Sequence, residues 1–502
     1  MEGPLVKTAT TRLRSAFSRH GAMIRHSGTG SLGATLILVL LIVAAPLPFA
    51  GVLPHHRAAL QVTAFLALAV ALTSRRRLDD LGPVRVPLAA LLGVAALGVL
   101  QALPWPAFLV ELLSPANAEL WREAARLQGA EAPGWMPPSV APGVSLATAL
   151  HWGAVAAFFA AAAIQARERA ARRLLFVALM VSGLIQILYG AERWLSRSTE
   201  VWGREIPGDP SRLRGTFVNS DHLAFYLGLI VPCLAAWWLW GLRKALDSKI
   251  SLESRILQAL APFLFFSFFF AAAVFTGSRA GLVALIGGLA LQGALLALRY
   301  RRWQWILIAL VASAVGLGTV WNLAGAGGFG RLTETTAYEL TWNARLQAWA
   351  HSFELLAQSP VLGSGLGTFR QAFPRVQPLD LTGSWHHAHS DVLELAVTVG
   401  LPCLVLLGWV LVTVVRRLWV VLHKGRRSED RFAALGIFGA VAVAGLHSLI
   451  DFSLTMPANA FTLAMLVAVG CGTPLLMRRK RVAKTVFMAE DDSAEPLPPS
   501  AR

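Results

Sequence analysis

The sequence predicts an all-α, polytopic helical membrane protein, with about twelve transmembrane helices and a large outer loop between the ninth and tenth. Three observations carry this. Of 502 residues 55% are hydrophobic and only 15% charged, whereas about a quarter of the residues of a soluble protein carry charge. Apolar runs near twenty residues recur along the chain, each long enough to cross about 30 Å of hydrocarbon. Basic residues gather in alternate segments between those runs. The short alternating strands of a membrane barrel are not found in the sequence.

In chain order, residues 1–31 form a basic tail containing Lys7, Arg12, Arg14, Arg19 and Arg25. The run 32–53 is longer than a signal-peptide core and "PFAG" is a poor cleavage site, so it is read as the first helix. Runs at 57–74, 86–104, 145–165, 173–194, 217–241, 257–276, 280–298 and 303–324 complete the first nine, within 32–324. Two outer loops interrupt them: 105–144, with a short amphipathic helix between Pro-rich ends, and the polar 195–216. The large loop, 325–388, contains "TWNARLQAWAHSFELLAQSP", where Leu346, Trp349, Phe353 and Leu356 recur at helical spacing. Runs 389–414, 433–454 and 457–477 supply the last three helices, in 389–477. The tail 478–502 turns from basic to acidic and Pro-rich, a composition that predicts disorder. Cys233, Cys403 and Cys471 fall in apolar spans and read as small core residues. No internal repeat is evident, which weighs against transporter folds built from duplicated halves.

A net charge of +17 raises the question of nucleic acid, and the placement of the charges answers it. With the N-terminus inside, 32 of the 45 Lys and Arg lie on the inner side and 13 outside; the acidic residues divide 12 to 16. This is the positive-inside bias: it puts both termini in the cytoplasm and makes anionic lipid, not nucleic acid, the partner of the basic residues.

Ionisable groups near the membrane are costly, and the notable ones gather at outer helix ends. In "RLRGTFVNSDHLAFYL", Arg212 and Arg214 precede the sixth helix, and Asn219, Asp221 and His222 occupy its first turns. Asn219 or Asp221 suits the helix N-terminus, and Arg214, beside Gly215, suits an anion. In "FTGSRAGL", Arg279 is the one charge of a tight outer turn; its planar guanidinium fits phosphate oxygens. In "HHAHSDVLEL", His386, His387 and His389 stand beside Asp391 and Glu394. On a continuous helix His389, Leu393, Ala396 and Gly400 form one stripe, with Gly400 permitting close packing and neither acid sharing the face of His389. No Cys or helical His-x-x-x-His accompanies these histidines, so a single general base is favoured over a metal site. In "HSLIDFSLTMPAN", His447 and Asp451 are four apart and read as a mutually satisfied polar pair. "SPVLGSGLGTF" lacks the context of a nucleotide-binding fold and reads as a turn with backbone amides available to an anion.

Taken in order, "GTFVNSDHLAFYL", "TGSRAGL", "ARLQAWAHSFELLAQSPVLGSGLGTF", "HAHSDVLELAVTVGLP" and "HSLIDFSLTMPAN" resemble the O-antigen ligase and polymerase superfamily, over about residues 210–460. That resemblance implies a bacterial inner-membrane glycosyltransferase with a large periplasmic loop. It would use a polyprenyl-diphosphate-linked glycan donor and a glycan or lipid-A-core acceptor, and no metal or other cofactor. Carried over by motif, Arg214 and Arg279 would hold the diphosphate, Arg345 would assist on donor phosphate or sugar, and His389 would be the catalytic base. Asn219, Asp221, His222, His447 and Asp451 would support them. Where many relatives have Asn after that His and an aromatic two residues later, this chain has Ser390 and Val392.

Ligase and polymerase need the same clamp and base, so both remain open, exopolysaccharide assembly included. From other classes, a twelve-helix transporter or flippase would place charge near mid-membrane, and a non-catalytic assembly protein would tolerate loss of Arg279 or His389.

Overall fold

The computed structural model describes residues 29–73, 78–246, 250–300, 304 and 336–475. Its helices are α1 (Thr29–Ala44), α2 (Pro54–Leu72), α3 (Arg85–Ala102), α4 (Ala107–Leu113), α5 (Pro115–Leu127), α6 (Pro142–Gln165), α7 (Arg169–Leu195) and α8 (Ser220–Ala245). They continue with α9 (Leu252–Phe275), α10 (Arg279–Tyr300), α11 (Thr336–Gln358), α12 (Phe369–Ala372), α13 (Asp391–Val399), α14 (Pro402–Lys424), α15 (Ser428–Ser448) and α16 (Pro457–Gly472). Two-residue strands form two small antiparallel hairpins, Trp105–Pro106 with Trp135–Met136 and Glu200–Val201 with Arg204–Glu205.

Among the described residues nine helices are long and apolar enough to cross a membrane. The first and last, α1 and α16, are 16 residues each, about 24 Å long, shorter than the hydrocarbon thickness. The ninth apolar run, 303–324, falls outside the described residues apart from residue 304. So do 325–335, residues 1–28 of the N-terminal tail and everything after 475.

Burial sorts the helices into layers. Most of the central windows of α8 (78%), α6 (72%) and α15 (72%) are buried, against 17% for α14 and 22% for α3, whose apolar surfaces face outward. Because lipid offers no hydrophobic drive between helices, close approach needs small residues. A Cβ on Gly288 of α10 would lie 2.7 Å from the Gly439 carbonyl of α15, and one on Gly436 would lie 2.8 Å from the Cα of Cys233 in α8. At one end of α15 the Arg172 guanidinium bonds Asp430 at 2.7 Å with both side chains buried, while Arg169 and Arg173 pair with Glu429. These ties fasten the start of α7 to the start of α15.

The tenth apolar run is not one helix, which corrects the stripe from His389 to Gly400. Gly400 has φ 96° and ends α13, and a Cβ there would lie 2.1 Å from the Val361 carbonyl. The break exposes the last carbonyls of α13, which need partners. They are supplied by the glycine-rich turn: Ser364 N donates to Val397 O and Gly365 N to Thr398 O, both at 2.9 Å. Gln101 of α3 completes the junction, donating to Leu362 O and Thr398 O and accepting from Leu366 N at 2.8 Å. The amides of residues 363 to 366 are therefore spent on the fold, Gly363 N on Ser359 O, and the reading of this turn as an anion cradle is overturned.

The loop helix α11 also differs from its sequence pattern. Of the expected stripe Leu356 is buried and Trp349 half-buried, packing with Ala348, Leu355, Phe369 and Phe373, while Leu346 and Phe353 are exposed; Ser352 is also buried.

Candidate active site

The stretch before α13 is held by its own helix. Ser390 caps α13, its Oγ accepting from Leu393 N at 3.3 Å. Glu394 folds back so that its carboxylate accepts from Ala388 N at 3.0 Å and lies 3.0 Å from His387 Nδ1. Between these anchors His389 takes φ 52°, a conformation few side chains adopt, and leaves the helical period. The Trp349 indole of α11 donates to Ala388 O at 2.8 Å, fixing the turn from the other side.

α13 is docked onto the turn between α15 and α16. Asp391 N donates to Asp451 O at 3.0 Å, and the Asp391 carboxylate accepts from Ser448 Oγ at 2.8 Å and from Leu454 N at 3.2 Å. This docking sets Asp451 Oδ1 3.5 Å from His389 Nδ1. Asp451 is almost wholly buried (1% exposed) and His389 a quarter exposed. The expected His447–Asp451 pair is thus replaced. Asp451 N donates to the His447 carbonyl at 2.9 Å, while the His447 ring lies edge-on to Phe225 and 3.5 Å from Ser453 Oγ. Helix α15 has ended at Ser448, so spacing by four no longer sets side-chain direction. Burial by itself would raise the Asp451 carboxyl. The His389 ring and the charges of His222, His447 and Arg345 outweigh it and hold Asp451 below the usual carboxylate range.

Phe452 ties three motifs together. His387 stacks on it with ring centres 4.1 Å apart, His389 meets it edge-on at 4.8 Å and His222 at 4.9 Å. Trp385 closes over His389 at 5.6 Å. Arg345 extends from α11 with its Nε buried and without a hydrogen-bond partner, and its charge acts on Asp451 and His447. His386 is exposed. Its neighbour His387 is engaged with Glu394 and His389 with Asp451. Among the described residues no group of three or more His, Cys, Asp or Glu side chains is placed to hold a metal ion.

The arginines before α8 have separate duties. Asn219 is the cap, its Oδ1 accepting from Asp221 N at 2.9 Å. Arg212 bonds Asp221 at 2.6 Å and the Thr276 carbonyl at 2.7 Å, joining this segment to the turn before α10. Arg214 is buried, donating to the Ile206 carbonyl at 3.1 Å and to that of Thr199. Arg279 is half-buried at the start of α10. Two residues on, Gly281 packs against Ala224, in the second turn of α8.

The structure therefore gathers His222, His389, His447, Asp451 and Arg345, and leaves Arg214 on the carbonyls of the 199–206 loop. Sequence reasoning passed over Phe452, Trp385 and the bonds of Glu394. Phe452 adjoins Asp451 in "IDFSL", but no helical spacing connects it to the histidines.

Comparison with known families gives one result. Residues 263–408 match the family described as O-antigen ligase, a segment running from α9 through Arg279, Arg345 and His389 into α14. No curated protein matches the chain.

Proposed function

We propose, from the place of this chain in the O-antigen ligase-like superfamily, that it is a glycosyltransferase of the bacterial inner membrane. It moves a glycan from a polyprenyl diphosphate to an acceptor hydroxyl at the periplasmic face, with both termini in the cytoplasm. The observation that carries the reading is the placing of a partly exposed His389 against a buried, ionised Asp451, at a junction of helix ends where Arg345 also reaches.

A polyprenyl tail stays in lipid while its diphosphate reaches the interface, so chemistry at helix ends is where such a donor can react. Asp451 orients the imidazole through Nδ1, leaving Nε2 to take the acceptor proton. The acceptor oxygen bonds to the anomeric carbon as the bond to the diphosphate breaks, and the polyprenyl diphosphate leaves with that electron pair. Attack from the face opposite the leaving group inverts the anomeric centre. Arg279 and Arg345 neutralise the departing charge, with Arg214 holding the loop beside them.

The test is the envelope glycan profile of a deletion strain complemented with the wild type or with His389→Ala. Single repeats on the acceptor indicate a polymerase, whereas long lipid-linked chains beside a bare acceptor indicate a ligase. A profile unchanged by deletion, or fully restored by His389→Ala, overturns the proposal.

A further inference from the structure

A second polar cluster, built from residues other than those around His389, flanks the entrance of α16. Gly51, in the turn between α1 and α2, packs on Pro457, while Asn459 donates to the His222 carbonyl at 3.3 Å. The turn is strained, since Phe49 and Ala50 adopt φ of 54° and 57°. Two bonds pin it to the outer loop: Thr216 Oγ1 to Pro46 O at 2.6 Å and Trp202 Nε1 to Leu47 O at 2.7 Å.

Two arginines and two histidines approach this turn from three segments. His56 and Arg57 come from the first turn of α2, and His151 from α6. Arg204 comes from the 200–205 hairpin, its guanidinium carbon 6.0 Å from the centre of the Phe49 ring. His151 is 4% exposed, and neither of its ring nitrogens has a hydrogen-bond partner. The buried Nε of Arg57 and Nδ1 of His56 lack one too. The charge of Arg57 acts on His151, and that of Arg204 on His56. Buried polar atoms are seldom left unpaired, and among the described residues neither Arg57 nor Arg204 is in an ion pair with a carboxylate. Guanidinium and imidazole N–H groups together suit the several oxygens of a phosphate.

We infer that His56, Arg57, His151 and Arg204 form a second anion site, which binds a phosphate group at the membrane interface. That phosphate belongs either to a bilayer lipid headgroup or to a soluble or substrate-borne group, and two measurements separate the sources. In one, the full-length chain is released from nanodiscs of phosphatidylcholine and phosphatidylglycerol, and retained phosphatidylglycerol is read by native mass spectrometry. In the other, inorganic phosphate is titrated calorimetrically into the detergent-solubilised chain. Arg204→Gln lies on an exposed hairpin and leaves the bundle intact; the second variant is Arg57→Gln with His151→Phe. Both variants should weaken binding about tenfold in at least one measurement, with helix content by circular dichroism unchanged. Loss of phosphatidylglycerol alone identifies a headgroup, and loss of inorganic phosphate alone a soluble or substrate phosphate. Wild-type binding in both folded variants overturns the inference, as does equal loss in His389→Ala, which would place the probe in the other site. A wild-type chain that binds neither probe overturns it as well.

Discussion

His389 and Asp451 belong to different helix ends, yet the docking of α13 on the α15–α16 turn brings Nδ1 of one within 3.5 Å of Oδ1 of the other. The carboxyl is buried and held below the usual carboxylate range, and the imidazole remains open to solvent on one side. An imidazole so held keeps one orientation. Asp451→Asn keeps the size and removes the charge, so transfer should fall by about 10²-fold. The double variant with His389→Ala should be little worse than His389→Ala alone, because the two act as a unit. Initial rates in membranes measure both.

Glu394 secures the turn that presents His389, by accepting from Ala388 N and pairing with His387. Glu394→Ala should lower transfer while protein level and melting temperature change little, whereas His386→Ala, at an exposed position, should leave transfer intact. Equal loss in both variants would contradict this division.

Gly400 is irreplaceable for two reasons, its φ of 96° and the Val361 carbonyl 2.1 Å from any Cβ. Gly400→Ala should cost about 1–3 kcal/mol. Gly408 is the control, because nothing lies within 4 Å of a Cβ there and α14 is regular, so Ala should be neutral or stabilising by up to about 1 kcal/mol. Melting of the detergent-solubilised protein distinguishes them.

Gln101 satisfies two carbonyls and one amide at the break between α13 and α14. Leucine in its place strands the Leu362 carbonyl and the Leu366 amide, at about 1–3 kcal/mol for each group left buried and unpaired, while the Thr398 carbonyl keeps its bond from Gly365 N. Gln101→Leu should raise hydrogen exchange around 361–367 and 397–401, with little change near Arg172.

At the far end of α15, Arg172→Ala leaves Asp430 buried without its partner and should destabilise by about 3–5 kcal/mol. Replacing both by apolar residues of similar volume, Arg172→Met with Asp430→Leu, should recover most of the loss. Thermal melting checks it.

The sequence by itself determined the class of the protein, because membrane helices are selected by a local property, the apolar length needed to cross hydrocarbon. Runs such as 145–165 and 217–241 became α6 and α8 for that reason. It also placed the notable ionisable residues near helix ends, since charge at membrane depth is costly wherever it falls in the chain. The tertiary structure alone decided the partners. Helical spacing joined His447 to Asp451 and His389 to Gly400, but that spacing holds only while backbone dihedrals repeat. They stop repeating at His389, at Gly400 and after Ser448. Beyond those points direction is set by long-range bonds, Asp391 to Ser448 and Gln101 to Thr398, which no local pattern encodes.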